Sequence, residues 1–575
     1  MFVHKNRVLT IYFIFTLAFL ALMGRLYQIQ FISGPQYSQQ AVAQRQKTIN
    51  YIQFPRGTIL DQKFRPMTNV EQQPCVAVFP VMIEDISYTS ELLARFLNIS
   101  PEIIAGKITY NSQSLTETAS DSSIVKEPFI LKADVSDQEI VLIEKAKLPG
   151  VYILPLIPRY QPGWPGVHIL GSVGSINEEE YQESSFLGKY YQSNDIIGKS
   201  GLEKQYEDYL RGSSTERIAA LVDVRGQHLE GSGFTLLSPE KEEEDSLNRV
   251  VTTIDRDYQI IAEQALEGHN GAAVVMDVWN GDILAIASSP KYDPYMLEKP
   301  TTDDAYVNKA LKNYPPASVF KILVAAAALE EGIVKPDDLF TCTGGIAISP
   351  ERTVSCWNKE GHGEISFTQA GAYSCNPVFV DVGLKLGGEN IIKYAEKFGL
   401  NDDKIIGYDI PKTQHIHFNP NVLGDIANVS IGENGISLSP VLVAKLVSQV
   451  ANGGFSITPR LVSRIEDDHG KELEEFINVT GKRVIKAETA ASIKAMLEMG
   501  VTEGTGKSAQ VPGIRTAGKT GSSEINAVWF AGFAPVDVPR WAVVVFIQKG
   551  SSGGKEAAPI FQKIISDLAK KEEIL

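Results

Sequence analysis

At 575 residues the chain exceeds what one hydrophobic core sustains, and at about 150 residues per unit it should comprise roughly three to four folded units. Its 43% hydrophobic and 21% charged residues exclude both a disordered chain and a protein embedded in the membrane throughout. A formal net charge of −15, with no long Lys/Arg stripe interleaved with aromatics, repels phosphate backbones and argues against nucleic acid as a partner.

In chain order, residues 8–24 carry no charge and are flanked by His4, Lys5 and Arg7 before them and Arg25 after them. At about 1.5 Å per residue this run, with Leu26 and Tyr27, reaches roughly 30 Å, the hydrocarbon thickness of a bilayer. Residues 1–27 therefore read as a short cytoplasmic tail and one transmembrane anchor. Met23, Gly24, Arg25 and Leu26 do not form the small-residue exit of a cleavable signal peptide, which favours an uncleaved helix. Basic residues ahead of the span hold the N-terminus in the cytoplasm, so the remainder is expected outside the cell membrane.

Residues 28–240 mix polar strands, short helices and turns marked by Pro and Gly, and read as an elongated non-catalytic module. The block 241–246 opens with Lys241, Glu242, Glu243, Glu244 and Asp245, lacks apolar periodicity and reads as an acidic linker. Residues 247–575 then form a further domain. A β-branched strand is expected at 250–254 and a helix at 258–266. The apolar runs 272–278 and 283–287 are joined through Asn280 and Gly281, a pair that tolerates the positive φ of a tight hairpin. Residues 319–394 read as helix-rich, strands follow at 527–533 and 541–548, and a helix over 557–570 closes the chain. Strands at both ends enclosing helices make an α+β domain. The four cysteines are too few for a disulfide scaffold. A local Cys342–Cys356 bridge and two free thiols both stay open, while Cys375 reads as a small buried hydrophobe.

Three groups carry chemistry. Ser318 follows Pro315, Pro316 and Ala317 and precedes Lys321 and an Ala-rich helix closed by Gly332. Proline suits a first helical turn, so Ser318 and Lys321, three residues apart, share one face of the helix start. A serine hydroxyl attacks only when a neighbour takes its proton, and a lysine does so only when its pKa falls from about 10.4 toward 7, worth about 4 kcal/mol. Burial and a second cation would each contribute to that fall. By itself the spacing equally describes a capped helix with a solvated lysine. The second group is Ser374, Cys375 and Asn376, after an amphipathic stretch and before Pro377. Proline disfavours α conformation at Asn376, so an inter-helix turn is expected, presenting a hydroxyl and an amide to a cleft. The third group, Lys519, Thr520, Gly521 and Ser522, lies just ahead of a strand. If extended, Thr520 and Ser522 share the face opposite Lys519, Gly521 allows close approach of a substrate backbone, and a peptide can add along the edge. Residues 513–520 also satisfy G-x-x-x-x-G-K-[ST], but a phosphate-cradling loop must open a helix; strand is expected here, and no nucleotide with it.

In this order the three groups resemble the Ser-x-x-Lys, Ser-x-Asn and Lys-Thr-Gly signatures of penicillin-binding proteins and serine β-lactamases. Segments 56–61 (RGTILD), 197–207 (IGKSGLEKQYE), 361–363 (GHG) and 528–535 (VWFAGFAP) extend the resemblance to class B penicillin-binding proteins over nearly the whole chain. The resemblance implies a serine β-lactamase/transpeptidase-like domain that crosslinks peptidoglycan as a D,D-transpeptidase. Ser318 would be the nucleophile and Lys321 its base, with Ser374 and Asn376 relaying protons and positioning the amide. Thr520 and Ser522 would bind the terminal carboxylate under the field of Lys519, and the backbone N–H groups of Ser318 and Ser522 would form the oxyanion hole. Stem peptides, β-lactams and a membrane-embedded glycan polymerase are the implied partners, and neither cofactor nor metal is expected. Ala317, Ser522, Ser523 and Asn526 depart from the commoner Gly, Thr, Ala and His of such proteins. A carboxypeptidase or β-lactamase, and a non-catalytic scaffold, are the alternatives.

Overall fold

The computed structural model describes residues 2–32, 46–53, 56–69, 73–110, 129–133, 135–160, 163–186, 191, 195–211, 216–221, 234–237, 247–295, 304–479 and 481–575. Helix α1 spans Phe2–Tyr27 and continues as a π-helical turn over Gln28–Ile32. Its segment Tyr12–Gln30 has a mean hydropathy of 1.5 with 0% of it buried, and among the described residues it is the one helix long and apolar enough to cross a membrane.

In the N-terminal module, Gln73–Val78 is the central strand of a three-stranded antiparallel sheet with Phe129–Lys132 and Val151–Leu156. Helices Ile86–Leu97 and Asp137–Ala146 bury Leu93, Leu97 and Ile143 against Val76 and Val78 on one face of that sheet. Both start at clear caps: Asp85 accepts from the Tyr88 N–H, and Ser136 with Glu139 forms a reciprocal capping box.

Backbone as well as side chains stitch this module to the second half of the chain. Thr58–Leu60 adds parallel to β1, Arg249–Thr252, extending a sheet whose other strands come from that second half. Arg56, at the start of the RGTILD segment, reaches Glu203 at 3.1 Å and Glu207 at 2.7 Å, both in the IGKSGLEKQYE segment. Arg159 holds the other Glu203 oxygen at 2.6 Å, so a fully buried carboxylate sits between two guanidinium groups. Asp61 caps its own turn by accepting from the N–H groups of Lys63 and Arg65 and receives the N–H of Arg256 at 3.2 Å. The two segments are thus joints rather than catalytic parts. The expected acidic linker, 241–246, lies outside the described residues.

The second half is built on an antiparallel sheet. After α2, Arg256–Ala265, come β2, Gly271–Asp277, and β3, Ile283–Ser289; near the C-terminus come β8, Ala517–Ser522, β9, Val528–Ala534, and β10, Trp541–Ile547. The strand order is β3-β2-β10-β9-β8. Both faces are covered, so its strands are apolar runs rather than alternating ones. Ala273, Val275, Val543 and Val545 pack on α2 and the C-terminal helix Ala558–Lys571, whereas Ala272, Val274, Ala542 and Val544 face the helical layer. In that layer α3, Lys321–Glu330, is buried on all sides from Lys321 to Ala328.

Residues 319–394 are less helical than expected. Four short strands, β4 (Leu339–Cys342), β5 (Gly345–Ser349), β6 (Arg352–Ser355) and β7 (Gly363–Ser366), form two separate two-stranded pairs, β4 with β7 and β5 with β6. Each spans at most 5 residues and most of their side chains stay partly exposed, so none leaves a period in the sequence long enough to read. Helices α4, Phe367–Ala372, and α5, Asn376–Leu386, come next in the chain.

Candidate active site

Ser318 lies in a tight 3₁₀ turn, Ala317–Val319, that feeds α3, and its side chain is half-buried. Two neighbours fix this turn. The Trp529 indole N–H of β9 donates to the Pro315 carbonyl at 2.9 Å, and the Ala317 N–H donates to the Gly432 carbonyl at 3.0 Å. Ala317 itself has φ 48°, left-handed backbone that costs an L-residue roughly 1–2 kcal/mol. Glycine would adopt this conformation without that cost, and the contacts around the turn hold alanine in it. Gly432 has no such latitude: a Cβ would stand 1.9 Å from the Ala317 carbonyl oxygen.

Lys321 occupies the first turn of α3, 1% exposed. Its Nζ donates to the Ser374 carbonyl at 2.9 Å, the Ser374 hydroxyl at 3.3 Å and Asn376 Oδ1 at 2.6 Å. Burial lowers its pKa to about 7. These three acceptors use all the protons of an ammonium. The neutral amine has two protons and a lone pair, and the Ser374 hydroxyl, able to donate or accept, can turn to meet either state. Asn376 cannot flip freely, because its Nδ2 donates to the Ser355 carbonyl at 3.2 Å.

The Ser374 turn joins α4 to α5 as expected, with one correction. Asn376 is the first residue of α5 despite the following proline, and the irregular backbone falls on Ser374, at φ 58°, and on extended Cys375. Pro377 occupies the helix's first turn, where its missing N–H leaves nothing unpaired. The local preference of the residue before proline yields to the hydrogen bonds Asn376 makes at that position.

Lys519, Thr520, Gly521 and Ser522 are in β8, hydrogen-bonded in register to β9 with Lys519 opposite Ala531 and Gly521 opposite Trp529. They continue as strand, which excludes the phosphate-loop reading of 513–520. A Cβ on Gly521 would lie 3.0 Å from the Pro316 carbonyl oxygen, so glycine lets this edge lie against the Ser318 turn. Lys519 is 3% exposed, donates to the Thr520 carbonyl at 3.1 Å, and is pushed well below the ordinary lysine pKa by burial and then by Lys321. Thr520 and Ser522 share the other face: the Thr520 hydroxyl meets that of Thr505 at 2.6 Å, and Ser522 Oγ accepts the Gly553 N–H at 3.0 Å and keeps its own proton to donate.

Sequence reasoning missed two contributors. Thr505 orients the Thr520 hydroxyl from a loop with no motif of its own. Glu433 follows Gly432 in a Gly-Glu-Asn-Gly turn after the helix Leu423–Ser430 and is raised to about 7 by burial and then by Glu524, against the opposing pull of Lys321. The two glycines flanking a carboxylate between helices were the signal for it.

Comparison with known proteins gives a consistent picture. Residues 271–566 match the family model described as the penicillin binding protein transpeptidase domain, and residues 51–232 match that of the penicillin-binding protein dimerisation domain. Stage V sporulation protein D of Bacillus subtilis is 30% identical over 98% of this chain and 85% of its own length. Peptidoglycan D,D-transpeptidase MrdA of Acinetobacter baumannii is 27% identical over 72% of this chain and 67% of its own length. Among solved structures, the D,D-transpeptidase domain of an Eggerthella lenta peptidoglycan glycosyltransferase superposes with a TM-score of 0.54 at 25% identity, covering 62% of this chain and 96% of that one. Penicillin-binding protein A of M. tuberculosis, as an imipenem acyl-enzyme complex, gives a TM-score of 0.51 at 25% identity, covering 55% of this chain and 79% of that one.

Proposed function

The chain belongs to the class B penicillin-binding proteins, and from that premise we propose that it crosslinks peptidoglycan as a D,D-transpeptidase through an acyl-enzyme on Ser318. The observation that carries this reading is the buried Lys321 amine, held near neutrality and hydrogen-bonded to both Ser374 and Asn376 one turn from the serine. In the forward step Lys321 accepts the Ser318 proton as Oγ attacks the carbonyl of the penultimate D-alanine. The backbone N–H groups of Ser318 and Ser522 hold the developing oxyanion, a contribution of about 3–4 kcal/mol per donor in such sites. The proton passes from Lys321, by way of Ser374, to the departing D-alanine amine. An amine of a second stem then attacks the ester, its proton returns along the same path, and Ser318 is regenerated. Thr520 and Ser522 bind the donor's terminal carboxylate, and Asn376 orients its amide. A β-lactam mimics the donor terminus and leaves a slowly hydrolysed ester.

The test is the fate of the ester. Given a stem-peptide donor and an amine acceptor, the protein should release crosslinked product, and its penicillin adduct should last many minutes. Adduct turnover within seconds, with no crosslinked product, would replace this reading with a β-lactamase in which Glu433 is the group to examine as the base for water.

A pH dependence arises from Lys321. Only the neutral amine accepts the serine proton, so acylation should fall about tenfold per unit below pH 7 and level off above it. Pre-steady-state rates with a fluorescent penicillin measure this, and a flat profile between pH 5 and 8 would remove Lys321 from the role of base.

The same reading puts the domains at 1–27 for tail and anchor, 28–240 for the non-catalytic module, 241–246 for the linker and 247–575 for catalysis, all beyond the anchor lying on the outer face of the membrane. Support comes from the exposed apolar surface of α1 and the basic residues ahead of its apolar span. A membrane-embedded glycan polymerase is the corresponding partner, since α1 has an apolar surface to offer another membrane helix and a polymerase makes the strands this enzyme joins.

A further inference from the structure

The transfer half of the reaction has one proton more than Lys321 can carry. A stem amine of the lysine type, with a pKa of about 10.4, reaches the cleft as an ammonium, and fewer than about one molecule in 10³ is neutral at pH 7. Joining it to the ester makes one N–C bond, breaks the C–Oγ bond to Ser318 and strips two protons from the nitrogen. One of them passes to Lys321 and on to Ser318 Oγ. The other has to leave earlier, before the nitrogen has a lone pair to attack with. A second base is therefore needed where the acceptor enters.

Glu433 stands beside the nucleophile and on the rim of the cleft at once. Gly521 of β8 packs against the Pro316 carbonyl, and Gly432 packs against the carbonyl of the next residue, Ala317. Glu433 follows directly, its N–H held by the Asn428 carbonyl at 3.0 Å, and its half-buried carboxylate accepts the N–H of Glu524 in the turn between β8 and β9. That turn is pinned in place. The Ser523 N–H donates to the Ala527 carbonyl at 2.9 Å, the Ala527 N–H to Ser523 Oγ at 3.1 Å and the Gly550 N–H to the Asn526 carbonyl at 2.8 Å. The Glu433 side chain thus links the segment that braces the Ser318 turn to the turn that follows Ser522. Burial and then Glu524 raise its pKa to about 7, with the Glu524 N–H and Lys321 pulling the other way.

We propose that Glu433 serves the acceptor in the transfer step: its carboxylate binds the incoming stem ammonium and takes the first of the two protons. The neutral amine then attacks the ester carbonyl. As the N–C bond forms and the C–Oγ bond breaks, the second proton goes through Lys321 to Ser318 Oγ, and Glu433 releases its own proton to water. A carboxyl poised near 7 suits this work, because it lies closer to the ammonium than an ordinary glutamate at about 4.3 and still gives its proton up at neutral pH. Glu524, exposed at the rim, adds a second negative charge that favours a cationic primary amine there. The role rests on the transpeptidase reading and supplies its acceptor side.

The test reads how one acyl-enzyme divides between amine and water. It uses the full chain in detergent, a thioester stem-peptide donor, and as acceptor an N-acetylated stem tripeptide ending in lysinamide, whose one free amine is the side-chain ammonium. In Glu433→Gln the ratio of crosslinked to hydrolysed product at pH 7 should fall about 10²-fold, the low end of a general base's contribution, and Glu433→Asp should recover part of it. Hydroxylamine, already neutral in water at that pH, needs no such base, so replacing the peptide with it should abolish the difference between Glu433→Gln and the unmodified protein. Chains that fail to fold form no acyl-enzyme and do not enter the ratio. A peptide ratio unchanged to within about twofold would overturn the role. So would an equal loss with hydroxylamine, which marks a damaged cleft rather than a missing base. If the unmodified protein itself made only hydrolysed product, the transpeptidase reading would fall and this role with it.

Discussion

Replacing Lys321 by methionine should lower the acylation rate by a β-lactam about 10²- to 10⁴-fold, the range lost when a general base is removed. Methionine fills the same buried volume without a charge to desolvate, so the fold should survive. The acceptors Ser374 O and Asn376 Oδ1 lose their partner, at about 1–3 kcal/mol for an unsatisfied buried group, but the cost of burying the amine disappears with it. Activity and stability should therefore separate. Lys321→Arg is the sharper control, since a guanidinium keeps its proton and cannot act as base whatever its burial. Stopped-flow acylation together with thermal unfolding measures both quantities. Acylation within threefold of the unmodified rate would contradict the assignment of the base.

The largest structural effect is expected far from the cleft. Arg56→Met leaves Glu203, 0% exposed, with one guanidinium instead of two and leaves Glu207 without its cation, held only by the Gly198 N–H and the Tyr191 hydroxyl. Breaking a buried ion pair from one side costs about 3–5 kcal/mol, and the remaining Arg159 contact at 2.6 Å keeps the loss toward the lower end. The damage falls on the joint where Thr58–Leu60 meets β1, so the N-terminal module should unfold at a lower temperature and become sensitive to protease while Ser318 still reacts with penicillin at 25 °C. An unfolding profile unchanged to within about 0.5 kcal/mol would show that the network adds nothing to the joint.

The proposed catalytic groups were legible because each is a short local pattern with its own geometry: prolines before a serine at a helix start, a polar turn before proline, and a Lys-Thr-Gly edge before an apolar strand. Their convergence was not local. Nothing in the spacing of Ser318, Ser374 and Lys519 says that one buried amine bonds to both residues of the middle group, and only the resemblance suggested it. The sheet was readable from the Asn280-Gly281 hairpin and the apolar strands at 528–534 and 541–547, which lack alternation because both faces are covered. The strand lobe was missed because strands of 4 or 5 residues with partly exposed sides carry no usable period. Cys342 and Cys356, whose bridge the sequence left open, are both free and buried, and so is Cys375, an outcome decided by how separate elements pack and not by spacing along the chain. At Asn376 a sound local rule, the bias of the residue before proline, gave way to tertiary contacts. Arg56 and Glu203 belong to segments that carry the family resemblance, yet their role as a buried ion pair appears only once the chain has brought together residues 147 positions apart.

The proposed chemistry depends entirely on the Ser318 hydroxyl being made nucleophilic by the Lys321 amine. The most direct measurement is mass-spectrometric mapping of the protein after reaction with a fluorescent penicillin. The adduct should sit on Ser318 alone, on the peptide that carries Pro315 to Lys321; an adduct on any other residue, with Ser318 unmodified, would contradict it.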